Sequence, residues 1–269
     1  MTKNRLVSCI IACAAFMGFS PIWAQQSAEP AKALAEHLYL YPGISHMSVK
    51  NAFVSATTSP VNIKGDGDMI TGGYRYDARD ELYYSVDLSY YQNRLRAPSN
   101  IDVRGRGAGM RGALGYSFVF GTPFTLTPMI SLGYSHDTFK FRGDTPGTRL
   151  SFHIPYAGLG ARLHWLPREN FDLALLLFAD VDFDASVKVQ ESTTKTQGRR
   201  GMKRTVAYSF RIPFTFHHKL GEKELLDFGV AFEGAYAKRK IKELTDIGDI
   251  EGKHRLQSIG VTLNIGYTF

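Results

Sequence analysis

The chain has 269 residues and a formal net charge of +7, and 44% of its residues are hydrophobic and 13% aromatic. That length suits one barrel or a single large all-β domain. Past the amino terminus no stretch approaches the roughly 18 apolar residues of a membrane-spanning helix, which excludes a helical membrane protein.

The chain opens as an export signal. Lys3 and Arg5 form a positive start, Leu6 to Phe19 an apolar run, and Pro21 and Ala24 a cleavage point before Gln25. Leu6-Val7-Ser8-Cys9 fits a lipobox locally, but no apolar run precedes it. Both cysteines, Cys9 and Cys13, fall in this signal of residues 1–24, so no disulfide framework is expected afterwards. Residues 25–43 are expected to be a lead-in, first rich in Ala, Gln and Glu, then aromatic through His37 to Tyr41 and broken at Pro42.

Residues 44–269 read as strands of period two. The first, Ile44 to Thr57, alternates poorly; His37 to Tyr41 is strand-like and could supply a strand in its place. Gly65-Asp66-Gly67 is expected to be a loop. Met69 to Tyr76 has Ile70, Tyr74 and Tyr76 on one face, and Asp77 to Asp80 is a turn. Glu81 to Gln92 has Leu82, Tyr84, Val86, Leu88 and Tyr90 on one face, with Tyr83, Ser85, Asp87 and Ser89 on the other. Arg104 to Phe120, Phe124 to Phe141 and Leu150 to Trp165 repeat the pattern. Phe171 to Val189 is read as one strand carrying Asp180, Asp182 and Asp184 on its polar face, followed by a polar loop over Glu191 to Gly201. Lys203 to His217, Leu225 to Ile241 and Ile259 to Phe269 complete ten strands.

Short turns near Ala78, Thr122, Arg168 and Gly221 share an end with the carboxy terminus, and longer charged loops occupy the other. Aromatics bunch near the turn end: Tyr116, Phe118, Phe120, Phe124, Trp165, Phe171, Phe214, Phe216, Tyr267 and Phe269. Aromatics at one level of nearly every strand form an interfacial girdle. The fold expected is an all-β, transmembrane, antiparallel up-and-down β-barrel of about ten strands, with eight or twelve as alternatives. The place expected is a bacterial outer membrane.

The apolar faces point to lipid, so the interior holds Arg75, Asp87, Arg111, Arg162, His164, Asp180, Asp182, Arg211, His217, Asp227 and Glu233. Charges out of water need partners, so an internal ion-pair network is expected; a conductive path lined by the same charges is the alternative. The Asp180, Asp182, Asp184 run imitates a calcium loop, but Ala185 replaces the needed Gly and Lys188 stands at a ligand position. No metal, cofactor or catalytic residue is assigned.

The hairpin Thr71 to Tyr91 (TGGYRYDARDELYYSVDLSYY) and the closing IGVTLNIGYTF resemble small outer-membrane barrels of the OmpX, Ail and opacity type. The resemblance implies that Ile265, Tyr267 and Phe269 signal to the barrel-assembly machinery. It also implies a monomer with a structural or surface-interaction role, namely adhesion, envelope integrity or lipopolysaccharide contact through external loops. Expected partners are outer-membrane lipid, lipopolysaccharide and a host or surface ligand; nucleic acid is not expected. A narrow pore and an outer-membrane hydrolase are the rival functions. For the hydrolase, omptin-like proteases suggest His136-Asp137, and lipid A deacylases suggest His254 with Ser258, four apart on one face.

Overall fold

The computed structural model describes residues 36–51, 61–96, 101–121, 123–142, 148–168, 170–191, 197–203, 205–221, 224–241 and 252–269. The expected signal segment and most of the expected loops lie outside these residues. The elements are β1 (Glu36–Asn51), β2 (Val61–Asp77), β3 (Leu82–Arg96), β4 (Asp102–Tyr116), β5 (Phe118–Val119), β6 (Phe124–Arg142), β7 (Thr148–Arg168), β8 (Phe171–Asp182), β9 (Ser186–Glu191), β10 (Gln197–Lys203), β11 (Val206–Lys219), β12 (Leu225–Ile241) and β13 (Gly252–Thr268).

Ten of these make the wall: β1, β2, β3, β4, β6, β7, β8, β11, β12 and β13. Each pairs antiparallel with the next, and β13 pairs with both β12 and β1, so the sheet closes. Closure leaves no unpaired edge, the condition for crossing lipid with strands. At the seam, the Phe269 amide donates to the Glu36 carbonyl at 2.9 Å and the Glu36 amide to the Phe269 carbonyl at 3.1 Å. Prolines interrupt the ladders locally because they lack the N–H. The β1–β13 register skips Tyr41 and Pro42, and the β11–β8 register skips Ile212 and Pro213.

Three expectations need correction. The first wall strand starts at Glu36, so residues 36–43 are wall and not lead-in. Gly65-Asp66-Gly67 is not a loop but lies inside β2. There the neighbouring backbone packs so close that a Cβ at Gly65 would meet the Arg94 carbonyl, and one at Gly67 the Gln92 carbonyl. Phe171 to Val189 is not one strand. Asp184 takes a positive φ of 46°, the chain bends, and Ser186–Glu191 pairs with the loop-end half of β7 and with β10. Of the segment read as a polar loop, residues 197–201 lie in the second strand of a β9–β10 hairpin.

The outer surface carries an apolar belt. On β3 it runs from Leu82 to Tyr90, nine residues or about 27 Å along the strand, enough to span a membrane when tilted. Ile44, Leu132 and Leu159 are more than 60% exposed on the same outer face. Aromatic pairs fringe its turn end: Tyr76 stacks on Tyr84 at 5.1 Å, Phe124 on Trp165 at 6.0 Å, Phe171 meets Phe216 at 5.0 Å and Tyr267 meets Phe269 at 5.6 Å.

Beyond the belt, toward the loop end, the faces exchange character. On β3 the outward residues become Gln92, Arg94 and Arg96, and Leu95 turns inward and is buried. On β1 the apolar residues are Leu38, Leu40 and Ile44 outside, then Met47 and Val49 inside. The wall thus has two tiers: a membrane tier with a polar interior, and a collar with a charged exterior and an apolar core.

Candidate functional site

The polar interior is the first part of the site. Alternation brings one set of charges inward from each strand. Arg111 on β4 donates to Asp180 on β8 at 2.5 Å, with Ser131 donating to the other Asp180 oxygen at 3.2 Å. The Arg111 guanidinium lies 4.0 Å from the Phe178 ring centroid and 5.3 Å from that of Tyr156. Arg211 on β11 lies between Asp87 at 3.4 Å and Glu233 at 3.2 Å, and the Tyr39 hydroxyl donates to Asp87 at 2.6 Å. Arg162 on β7 pairs with Asp77, and Arg75 approaches the same carboxylate at 3.9 Å. Asp182 takes Arg239 Nε at 2.6 Å.

A second chain of bonds circles the turn end. His164 meets Asp172 at 3.1 Å, Asp172 meets His217 at 3.3 Å, and His217 meets Asp227 at 2.7 Å. The Thr268 hydroxyl donates to Asp227 at 2.5 Å, and His37 Nδ1 contacts that hydroxyl at 2.7 Å. Six side chains from β7, β8, β11, β12, β13 and β1 therefore form one path that crosses the seam. A cavity of about 10 Å³ lies beside it, lined by His37, Tyr41, Arg75, Arg162, Asp172 and His217 among others, with room for about one water.

Eleven charged interior residues are expected from the sequence, and the structure pairs each of them, His217 and Asp227 with one another. Arg75 and Arg162 gather on Asp77, Asp87 and Glu233 on Arg211, Arg111 on Asp180, Asp182 on Arg239, and His164 on Asp172. Asp77, Asp172, Arg239, His37 and Tyr39 were missed as site residues. Asp77 read as a turn residue, Arg239 as one of the charged residues at the end of the strand Leu225 to Ile241, and His37 and Tyr39 as lead-in. Extending the strand alternation one residue past Tyr76, into the apparent turn, would have placed Asp77 inward. Asp184, grouped with Asp180 and Asp182, is exposed and lies past the end of β8, so the three carboxylates do not share a face.

The apolar core of the collar is the second part. Val49, Ile63, Leu95, Val103, Phe139, Phe152, Ile154 and Val187, each at most 1% exposed, converge from seven strands. The rings of Phe139 and Phe152 meet edge-on at 6.0 Å, and His254 lies 4.5 Å from Phe152 and 6.0 Å from Phe139. Because His254 sits in this core, burial first and the Arg239 guanidinium second lower its pKa to about 3. Sequence reasoning missed this core because it assigned every apolar face to lipid.

Neither expected hydrolytic pair is assembled. His136 faces outward against His153, at 4.5 Å between ring centroids, while Asp137 faces inward and accepts from Tyr91 at 2.9 Å. His254 is buried in the apolar core, and Ser258 lies two repeats of the alternation deeper on the interior face of β13.

No family model matches the chain, and no curated protein matches its sequence. Among solved structures, the outer membrane protease OmpT from Escherichia coli aligns over 91% of this chain and 99% of its own, with a TM-score of 0.56 and 10% identity. The translocator domain of the autotransporter NalP from Neisseria meningitidis covers 98% and 97% at a TM-score of 0.41 and 12% identity. The outer membrane protein OprG from Pseudomonas aeruginosa covers 86% and 96% at 0.35 and 9%. The chain folds as a bacterial outer-membrane β-barrel. The closed ten-strand wall and its aromatic-edged apolar belt put this barrel in the bacterial outer membrane. At such low identity the likeness concerns fold alone.

Proposed function

We propose that this barrel is a closed, non-conducting surface protein, whose collar and loops stand outside the membrane and contact anionic envelope or host surfaces. The observation that supports this reading is the apolar core of the collar. A conducting lumen is lined by water and polar groups. Here buried apolar side chains from seven strands pack against one another inside the collar, through which an aqueous path would have to leave the barrel. Below them, ion pairs and hydrogen bonds occupy the polar tier, so fixed partners and not mobile ions neutralise its charges. The outer face of the collar is then the surface left for partners, and it is rich in exposed Arg and Lys.

The test is single-channel recording of the full-length mature protein in planar bilayers. Baseline current is expected for the native chain, and a variant combining Phe139→Ser and Phe152→Ser should admit intermittent openings. Regular ohmic steps from the native chain would favour a pore instead.

A further inference from the structure

Four cations line up on the outside of the collar. Arg94 on β3 is the register partner of Arg104 on β4, Arg104 of Lys140 on β6, and Lys140 of Arg149 on β7. All four are exposed. Among the described residues none of them forms an ion pair, although Asp66 adjoins Arg94 at the end of the row, where it takes His46 at 2.7 Å. Like charges directly opposite on neighbouring strands repel. With strands about 4.8 Å apart, the row extends about 14 Å around the wall. Arg106, next to Arg104 on the outer face of β4, adds a fifth cation on the membrane side.

The same four strands are unusually bare below the row. Leu88, Met110, Leu132 and Leu159 are 60%, 54%, 65% and 68% exposed. Between them Gly112 faces outward, with nothing within 4 Å of where its Cβ would be, and Ala157 is in register with Leu132 beside it. The wall there is apolar and shallow. Arg94 lies four residues past Tyr90, about 13 Å along the strand from the top of the belt. A flexible Arg or Lys side chain at that height reaches headgroup depth.

We infer that Arg94, Arg104, Lys140 and Arg149 form a docking strip for the phosphate groups of a phosphorylated glycolipid of the outer leaflet, whose acyl chains lie on the shallow apolar wall of β3, β4, β6 and β7. The phosphates neutralise a row that forms no ion pair among the described residues, and forked guanidinium groups suit phosphate oxygens. The apolar wall beneath commits the strip to a lipid-borne phosphate, because a free phosphate would use none of it. The inference rests on the collar facing outward, as proposed above.

The experiment measures binding of rough lipopolysaccharide to the full-length mature protein in detergent micelles. Its arms use the native chain, the fourfold variant R94Q/R104Q/K140Q/R149Q, and a control variant K50Q/K238Q/R255Q that removes a different exposed basic row. Folding of each is verified by its heat-modifiable band. The fourfold variant should bind about tenfold more weakly or worse, and the control within about twofold of native, since neutralising an ion-contacting row removes the salt-sensitive part of binding. Single variants R104Q and K140Q should each give a smaller loss, which keeps the test available should the fourfold variant not fold. Enzymatically dephosphorylated lipopolysaccharide should bind the native chain no better than the fourfold variant binds the intact lipid. Three results overturn the strip: equal binding by the fourfold variant, equal loss in the control, or full displacement by inorganic phosphate, which would indicate a free-anion site. Labelling of an R104C variant by an impermeant maleimide on intact cells tests the orientation separately. Labelled cells with unchanged lipid binding refute the strip alone, and unlabelled cells refute the outward collar.

Discussion

At the scale of single residues, the two tiers handle polar groups in opposite ways. In the lower tier each cation faces a carboxylate, and removing one partner of such a buried pair costs about 3–5 kcal/mol because the other is left uncompensated. In the collar, His254 sits among Phe139 and Phe152 with its pKa lowered to about 3. The unfolded imidazole takes up its proton near pH 6.5, while the folded one does so only near pH 3. Between those values the unfolded state binds more protons, so stability rises with pH and is lost as pH falls. The loss from this residue is about 1.4 kcal/mol for each pH unit below 6.5. Urea unfolding of the detergent-solubilised protein should therefore show a lower midpoint at pH 5 than at pH 7.5. In His254→Phe, which keeps an aromatic ring in the apolar site, that difference should shrink. An unchanged pH response in the variant would mean that other groups govern acid sensitivity.

At the scale of elements, the exchange of faces explains which strands could be read. Leu82, Tyr84, Val86, Leu88 and Tyr90 keep one phase for the full width of the membrane, so β3 is legible from alternation alone. β1 is not, because its apolar residues stand outside through Ile44 and inside from Met47. The expected strand Ile44 to Thr57 therefore begins across this change of phase and shows weak periodicity, although β1 is continuous from Glu36 to Asn51; its remainder, 52–57, lies outside the described residues. Gly65 and Gly67 look like turn residues for a similar reason. Their lack of a side chain serves close approach of β3, which a local reading of Gly-Asp-Gly cannot sense. The site was legible to the same extent: Arg75, Asp87, Arg111 and Arg211 lie on long single-phase stretches. Asp77 and Arg239 sit where a turn or a charged run hides the phase. The close approach gives a prediction. Gly65→Val puts side-chain carbon against the Arg94 carbonyl, and overpacking of this kind costs about 1–3 kcal/mol or more. Refolding into detergent should yield a smaller folded, heat-modifiable fraction than native. Gly112→Ala, on the open outer face, should refold as native or slightly better, because a strand glycine is entropically unfavourable. Equal yields from both variants would show that the β2–β3 contact tolerates a side chain.

At the scale of the whole molecule, the barrel is longer than the membrane requires. β7 has 21 residues and β6 has 19, against about 9–11 for a tilted spanning strand. The excess is the collar, and its character inverts because its solvent inverts. Facing lipid, the wall places apolar groups outside and satisfies polar groups within. Facing water, the same wall follows the rule of a soluble protein and buries its apolar groups. The boundary on β3 falls between Tyr90 and Arg94, and it can be located by depth. With Trp165 replaced by Phe, single Trp reporters at outward positions 82, 86 and 104 sample the turn-end edge of the belt, its middle and the collar. In vesicles whose lipids carry bromine at different acyl depths, the reporter at 86 should be quenched most by deep bromines and that at 82 by shallow ones. The reporter at 104 should be quenched by neither and should emit at longer wavelength, as an indole in water does. Strong acyl-chain quenching at 104 would place the row of cations inside the hydrocarbon, where an unpaired Arg costs about 2–4 kcal/mol at the midplane, and the two-tier division would fail.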